Sequence, residues 1–340
     1  MSGVSPVDAP LLSFCPGPFR RRFLPQQATR IFDTMQPPIP IVIGTRGSQL
    51  ATTQTGMVRD ALQQHWGDAV EVSLEIITTQ GDIDRQSLSQ IGGQGIFTRQ
   101  IERSLLRGSI DLAVHSLKDL PTEMDDDLVL AAIPPREDVR DVLVTRDGGA
   151  LEELPEGARI GTGSARRQAQ LANQRPDLHF VDIRGNVGTR LRKVYDGDAD
   201  AVVLAAAGLR RLGLHDRISH YLDPLTVLPA PGQGALGLQM RADATEKQTY
   251  IAILDDQATH ASVTAERAFL ASLGGGCRSP IGAWARPEDE GLRVDGIVLR
   301  PDGTDPCRAT RTGATEDASL LGTQLGDDIK ASGGAALLVD

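Results

Sequence analysis

Short apolar runs alternate with amphipathic segments from residue 39 onward. Mostly apolar residues fill 39–44, 110–114 and 142–144, and runs of this length between polar turns are typical of buried strands. Apolar positions recur every three or four residues after Ser48, a plausible N-cap, and again in 258–273, a spacing that predicts helices. Strands that alternate with helices predict an α/β fold in which mainly parallel sheets are covered by helices on both faces.

The same two patterns predict most of the remaining chain. Further strands are predicted at 70–78, 128–133, 159–161, 179–183, 199–204, 235–239 and 292–299. Further helices are predicted around 101–106, 191–194 and 207–213 and over 318–329.

Two proline-rich segments divide this pattern into lobes. Proline cannot continue a helix or a central strand, so Pro134-Pro135 and the segment 229–234 are predicted to be crossovers between two lobes that face one cleft. The second crossover returns the chain to the first lobe. The predicted domains are 39–134 with 235–254, then 139–229, and a smaller α/β domain at 257–340, and the linkers between them are plausible hinges.

Residues 1–38 differ in composition from the rest. They are rich in proline and contain Arg20-Arg21-Arg22 and Arg30, but only Asp8 and Asp33 as acids. An arginine-rich, acid-poor leader is typical of a transit peptide, whereas a secretory signal needs a longer apolar core. We favour a disordered leader, or a true start at Met35, over a transit peptide. A cytoplasmic protein is therefore expected, with a plastid protein as the alternative.

Composition excludes several classes of partner. The 340 residues carry a net charge of -10 with a pI near 5.1, which argues against nucleic acid or an anionic membrane. Cys15, Cys277 and Cys307 are too far apart for a disulfide framework or a zinc site. The six histidines show no metalloprotease spacing, so no metal is expected, and the apolar runs are too short to span a bilayer.

Cys277 is the first candidate for chemistry. Three glycines, 274–276, precede it and Arg278 follows it. Consecutive glycines predict a loop that leaves the thiol accessible, and the neighbouring arginine favours the nucleophilic thiolate. The alternative is a small buried residue beside a linker, which is the usual position of a free cysteine.

Arginines recur at the turns between strands and helices. In open α/β sheets, ligands bind beyond the carboxyl ends of strands, and arginine binds carboxylate or phosphate in a bidentate manner. At a separation of about 6 Å two guanidinium groups repel by roughly 3 kcal/mol, so a cluster predicts a polyanionic ligand. The alternative is a set of separate solvated charges. The arginines are Arg46, Arg166, Arg167, Arg184, Arg190 and Arg211.

Asp119 follows the predicted strand 110–114 by a few residues. In a cationic cleft this carboxylate stays ionised and stabilises positive charge on a substrate. A surface pair with Lys118, worth about 0–1 kcal/mol, is equally compatible with the spacing. A serine hydrolase is disfavoured because the chain has no G-x-S-x-G segment.

Six short segments of the chain, taken together, resemble the porphobilinogen deaminase family, also called hydroxymethylbilane synthase. The resemblance covers residues 40–340 in order, which makes it far more specific than any one motif. The segments are 44–48 (GTRGS), 115–119 (HSLKD), 161–168 (GTGSARRQ), 184–190 (RGNVGTR), 229–234 (PAPGQG) and 275–277 (GGC).

The resemblance implies a transferase of haem and chlorophyll biosynthesis. It implies that porphobilinogen units are joined head to tail, with loss of ammonia, into the linear tetrapyrrole hydroxymethylbilane. It further implies two lobes like those of type II periplasmic binding proteins, and a third domain in which Cys277 holds a dipyrromethane cofactor through a thioether. Porphobilinogen is then the small-molecule partner, and we expect a monomer.

The resemblance also assigns a role to each candidate residue. Asp119 is implied to act in proton transfer and to stabilise the azafulvenium cation, with Lys118 beside it. The six arginines are implied to bind the acetate and propionate groups of cofactor and substrate. Polar residues that assist them are Ser48, Ser116, Thr162 and Ser164.

The chain departs from the family pattern at a few positions. Gln80 and Gln94 stand where a basic residue is common, and Gly163 and Ala165 replace an expected Ser and Leu. These changes are expected to affect affinity more than activity. Two other classes stay open: a solute-binding protein, which has no use for Cys277, and a thiol-dependent acyl transferase, which needs a histidine partner that the sequence does not identify.

Overall fold

A computed structural model describes residues 37–78, 98–276, 279–289 and 291–338. The chain divides into two compact units, Met1–Pro37 and Pro38–Asp340. All elements below belong to the second unit. The candidates Cys277, Gln80 and Gln94, and almost all of the leader, lie outside the described residues.

Strands and helices alternate in the second unit, as the apolar pattern predicts. The strands are β1 (Ile39–Thr45), β2 (Val70–Ile76), β3 (Leu112–Ser116), β4 (Leu128–Ala132), β5 (Asp141–Thr145), β6 (Arg159–Gly161), β7 (His179–Val181), β8 (Ala201–Ala205), β9 (His220–Tyr221), β10 (Leu236–Arg241), β11 (Ile281–Glu288), β12 (Gly291–Val298) and β13 (Cys307–Gly313). The helices are α1 (Gln49–Trp66), α2 (Arg99–Leu106), α3 (Ala165–Gln174), α4 (Val187–Tyr195), α5 (Ala206–Arg211), α6 (Thr245–Ile251), α7 (Gln257–Ser272) and α8 (Ala318–Ala331).

The first sheet has the strand order β2-β1-β3-β10-β4. β1 pairs in parallel with β2 and β3, and β10 runs antiparallel to both β3 and β4. Four of the five strands therefore point the same way, and β10 is the strand that the second crossover was predicted to return. Its core includes Ile41, Leu62 and Leu238, which are fully buried.

The second sheet repeats this arrangement with the order β7-β6-β8-β5-β9. β6 is parallel to β7 and β8, whereas β5 is antiparallel to β8 and β9. The carboxyl ends of β6, β7 and β8 consequently lie at one edge of the sheet, just as those of β1 and β3 do in the first. The prediction of mainly parallel sheets is confirmed.

A three-stranded antiparallel sheet, β11-β12-β13, forms the last part of the chain. α7 and α8 supply Phe269 and Leu325 to its core. The apolar pattern predicts only β12 of these strands. β13 alternates between half-buried and exposed positions, but its residues are mostly polar, so the apolar pattern does not mark it. Pro287 near the end of β11 argues against a strand when only the sequence is considered.

None of the helices in the described ranges combines the length and the apolar composition needed to cross a bilayer. Within the same ranges, no group of three or more His, Cys, Asp or Glu side chains is placed to hold a metal ion.

Candidate functional site

The candidate residues lie where strands end and capped helices begin. Ser48 accepts a hydrogen bond from the Ala51 backbone N–H at 3.3 Å at the start of α1, as predicted. Ser164 does the same for Arg167 at the start of α3, at 3.4 Å. A capped N-terminus orients the first turn and presents unpaired N–H groups that favour anions. The sequence thus places arginines at two such turns.

Arg166 and Arg167 point into the protein and share one carboxylate. Arg166 Nη1 lies 2.7 Å from Asp141 Oδ2, and Arg167 Nη2 lies 2.7 Å from Asp141 Oδ1. All three side chains are buried. Burial opposes ionisation of this carboxyl, but the two arginines outweigh it and hold the pKa of Asp141 well below its usual range. The sequence argument missed this internal counter-charge.

Lys118 joins the same network through an amide. Its Nζ donates to Gln233 Oε1 at 3.3 Å, and Gln233 Nε2 donates to Asp141 Oδ1 at 2.9 Å. Burial, and then the charges of Arg167 and Arg166, lower the pKa of Lys118 to about 8, although Asp119 and Asp141 oppose the shift. Lys118, on the turn after β3 of the first sheet, therefore interacts electrostatically with the arginines of α3 beside the second sheet.

Asp119 lies at the end of a short 3-10 turn, Leu117–Asp119, directly after β3. Its side chain is exposed, whereas Lys118 beside it is half-buried. Burial and the charge of Arg167 lower the pKa of Arg190, and the charges of Asp119 and Asp182 oppose this. Asp119 is therefore within electrostatic reach of cations from both sheets.

The remaining arginines occupy different surroundings. Arg211 donates from Nη2 to the Gly234 carbonyl at 2.7 Å, and burial lowers the pKa of its guanidinium. Arg184 is exposed and pairs with Asp182 at 2.8 Å. Arg46 is half-buried and follows β1 directly.

The candidate hydroxyl groups have partners within the protein. Thr162 is buried, and its Oγ1 accepts from the Ser164 backbone N–H at 3.2 Å. Ser116 exchanges hydrogen bonds with the Gln54 side-chain amide at 3.0 and 3.2 Å. These contacts fix the hydroxyl positions near the ends of β3 and β6. Two of the departures from the family pattern, Gly163 and Ala165, lie at the turn after β6. Gly163 is exposed and Ala165 is half-buried.

The charged side chains around Lys118 favour an anionic ligand. Four cations, Lys118, Arg166, Arg167 and Arg190, interact with three carboxylates, Asp119, Asp141 and Asp182, which leaves an excess of one positive charge. In addition, the buried Nε of Arg166 has no hydrogen-bond acceptor among the described residues, and the same holds for that of Arg211. Buried donors of this kind favour an acceptor such as a carboxylate.

The glycine loop before residue 277 lies next to the third sheet. Gly276 and Ser279 exchange two hydrogen bonds, from the Gly276 N–H to Ser279 Oγ at 3.2 Å and from the Ser279 N–H to the Gly276 carbonyl at 3.0 Å. A Cβ on Gly275 would come within 2.2 Å of the end of the Ile281 side chain, so this side chain would have to move to accommodate any other residue. The Ala283 N–H of β11 donates to the Pro229 carbonyl at 3.0 Å, which connects this region to the second crossover.

Comparison with known proteins gives consistent matches over the same residues. The family model described as "Porphobilinogen deaminase, dipyromethane cofactor binding domain" matches residues 41–249, and that of the "Porphobilinogen deaminase, C-terminal domain" matches 260–331. A porphobilinogen deaminase of Roseiflexus sp. (strain RS-1) is 51% identical over 301 residues, which cover 88% of this chain and 98% of the relative.

A second relative is a porphobilinogen deaminase of Syntrophobacter fumaroxidans, 45% identical over 299 residues, with 88% of this chain and 96% of the relative covered. Among solved structures, a Salmonella typhimurium periplasmic binding protein with high arginine specificity matches with a TM-score of 0.38 and 15% identity, covering 65% of this chain and 94% of the other.

Proposed function

The chain belongs to the porphobilinogen deaminase family, and from this premise we propose how its residues divide the reaction between them. The enzyme is a hydroxymethylbilane synthase, a transferase of tetrapyrrole biosynthesis that uses a dipyrromethane cofactor. It joins porphobilinogen units head to tail, with loss of ammonia from each. Membership of this family removes the solute-binding protein and the acyl transferase from consideration.

Cys277 is the residue to which we assign cofactor attachment, through a thioether. When bound, the cofactor supplies the terminal pyrrole to which the first substrate unit is joined. Arg46, Arg184, Arg190 and Arg211, together with the Asp141-bound pair Arg166 and Arg167, bind the carboxylates of cofactor and substrate. The excess positive charge around Lys118 and the acceptor-less Nε atoms of Arg166 and Arg211 support this assignment.

Asp119 is the residue to which we assign the charge-stabilising and proton-transfer role. When ammonia leaves, positive charge develops on the substrate pyrrole, and an ionised carboxylate beside it lowers the energy of that state. The observation that carries this proposal is the position of Asp119, which is exposed yet within electrostatic reach of both Lys118 and Arg190. Lys118 orients the substrate next to this carboxylate, and Ser48, Ser116, Thr162 and Ser164 complete the polar lining.

Three domains are proposed with the predicted bounds, 39–134 with 235–254, 139–229 and 257–340. One sheet falls within each of these ranges, which supports the division. A growing oligopyrrole needs additional space, so we propose that the lobes separate at the crossovers near Pro134 and Pro229 and at the linker near Asp255. We further propose a monomeric, cytoplasmic enzyme whose partner is porphobilinogen.

Intact-protein mass spectrometry tests the attachment site. The purified wild-type protein is expected to carry the mass of two additional pyrrole rings, and the Cys277→Ser variant to lack that mass and the activity. Cys307→Ser is the matched control, because Cys307 is a half-buried thiol at the start of β13 and is expected to leave the added mass unchanged. An unmodified, fully active wild-type protein would falsify the covalent attachment.

A further inference from the structure

The second crossover, 229–234, and the preceding Leu228 form hydrogen bonds with three helices, α3, α5 and α7. The Leu228 carbonyl accepts from Arg166 Nη1 at 2.7 Å, and the Gly232 N–H donates to Glu266 Oε2 of α7 at 2.7 Å. The Gly234 carbonyl accepts from Arg211. A displacement of this segment therefore changes contacts with α3 and α5 beside the second sheet and with α7 beside the third.

Gln233 lies near the end of that segment and is fully buried. Its neighbours Gly232 and Gly234 have φ angles of 76° and 86°, a region that favours glycine. A Cβ on Gly234 would lie 2.4 Å from the Glu137 carbonyl oxygen. The backbone on both sides is therefore closely constrained, which determines the direction in which the Gln233 side chain points.

The amide of Gln233 has a different partner at each end. Nε2 donates to Asp141 Oδ1 at 2.9 Å and to the Val139 carbonyl at 2.8 Å, while Oε1 accepts from Lys118 Nζ at 3.3 Å. A side-chain amide is neutral and offers a donor and an acceptor together, so it can connect a carboxylate to an ammonium. A carboxylate in its place offers no donor to Asp141, and an alkyl group offers neither.

We propose that Gln233 is a positioning residue for the reaction. Its amide couples Lys118, on the turn after β3, to the cluster of Asp141, Arg166 and Arg167 beside the second sheet. Through this amide, Lys118 and the two arginines keep one relative arrangement in the state in which the substrate binds. The inference rests on the roles proposed above for Lys118 and the two arginines.

The electrostatics of Lys118 provide a specific readout. The charged groups that act on it are Asp119, Asp141, Arg166 and Arg167. Substrate binding needs the ammonium form, so kcat/KM is expected to fall as pH rises through the lysine pKa of about 8. In Gln233→Glu a new carboxylate takes the acceptor position and raises this pKa, whereas in Gln233→Leu the acceptor is lost and the pKa falls further.

The experiment is the pH dependence of kcat/KM of the cofactor-loaded enzyme with porphobilinogen. We expect the alkaline limb to move up by about one pH unit in Gln233→Glu and down by about one unit in Gln233→Leu. Loss of a hydrogen bond to a charged group is expected to lower kcat/KM of Gln233→Leu by about tenfold to a hundredfold below the limb. Gln233→Glu has nearly the same shape as the native residue and keeps the test available if Gln233→Leu does not fold.

Gln239→Leu is the matched control, because Gln239 is an equally buried glutamine of β10 whose amide contacts His115 at 3.0 Å instead. It is expected to reduce stability without moving the alkaline limb. Shifts in the same direction for both Gln233 variants, no shift in either, or an equal shift in Gln239→Leu would overturn the proposal. Lys118→Met distinguishes failure of the proposed role of Lys118 from failure of the proposed coupling. If the alkaline limb of kcat/KM persists in this variant, the role of Lys118 is wrong. If the limb disappears in Lys118→Met but does not shift in the Gln233 variants, only the coupling is wrong.

Discussion

Two carboxylates close to the same cations have opposite surroundings. Asp141 begins β5, is fully buried and accepts from Arg166, Arg167 and Gln233. Asp119 lies at the end of the turn after β3 and is exposed. A carboxylate surrounded by protein donors holds those donors in place, whereas one that faces solvent can respond to charge on a substrate. The site therefore separates a structural carboxylate from a reactive one.

Asp141→Asn tests the structural side and has the largest expected effect. Removing the charge leaves two buried guanidinium groups without their counter-ion, which is expected to lower the free energy of unfolding by about 3–5 kcal/mol. Urea denaturation measures this loss. Asp200→Asn is the control, because Asp200 forms an exposed pair with Arg159 whose loss is expected to cost less than about 1 kcal/mol. Equal losses in the two variants would mean that Asp141 has no special structural role.

Asp119→Asn tests the reactive side. The substitution removes the charge but keeps the shape, so kcat is expected to fall by about 10²–10³-fold, while the free energy of unfolding changes by no more than about 0.5 kcal/mol. Steady-state rates of hydroxymethylbilane formation and urea denaturation give the two values. Asp126→Asn is an exposed control seven positions along the chain and is expected to match the wild type. A large loss of stability in Asp119→Asn would make the two carboxylates alike.

Lys118 interacts electrostatically with both carboxylates, and its effect on stability depends on pH. Burial and the arginines lower its pKa from 10.5 to about 8. Between these values the unfolded chain keeps a proton that the folded protein has released, so the free energy of unfolding rises with pH across this window. At about 1.4 kcal/mol for each unit of pKa, this lysine contributes a rise of about 3 kcal/mol.

Below pH 8 the same ammonium is costly to the fold but needed for binding. Lys118→Met is therefore expected to be more stable than the wild type at neutral pH and less active. Denaturation curves at pH values on both sides of the window measure the difference. Lys247→Met is the control, because Lys247 forms a half-buried pair with Asp111. A variant that loses both stability and activity would show that the ammonium stabilises the fold.

Much of the architecture follows from local pattern. The apolar runs predict most strands of the first two sheets, and Ser48 was identified as a helix cap from its position alone. Boundaries were less accurate: the strand expected at 110–114 is Leu112–Ser116, so His115 belongs to the strand and not to the turn after it. The ends of a strand depend on where its hydrogen bonds to neighbouring strands begin and end, and the sequence of one segment does not specify this.

The site residues divide in the same way. Arginines at successive strand-to-helix turns are visible in the sequence because the turn itself marks them. Asp141 was missed because it follows the mostly charged segment 136–140, which is typical of a surface. Gln233 was missed because it lies in a proline-glycine segment interpreted only as a crossover. Their importance depends on partners 25 and 115 positions away, Arg166 and Lys118.

The α/β class, the capped helices, the arginine-bearing turns and the family can be predicted from the order of neighbouring residues. The folded arrangement is needed to know which arginines are neutralised internally, which carboxylate is exposed and which amide connects the two lobes. Burial and charge pairing are properties of residues brought together from distant parts of the chain, and the free energy of an ion depends on those neighbours and on its access to water.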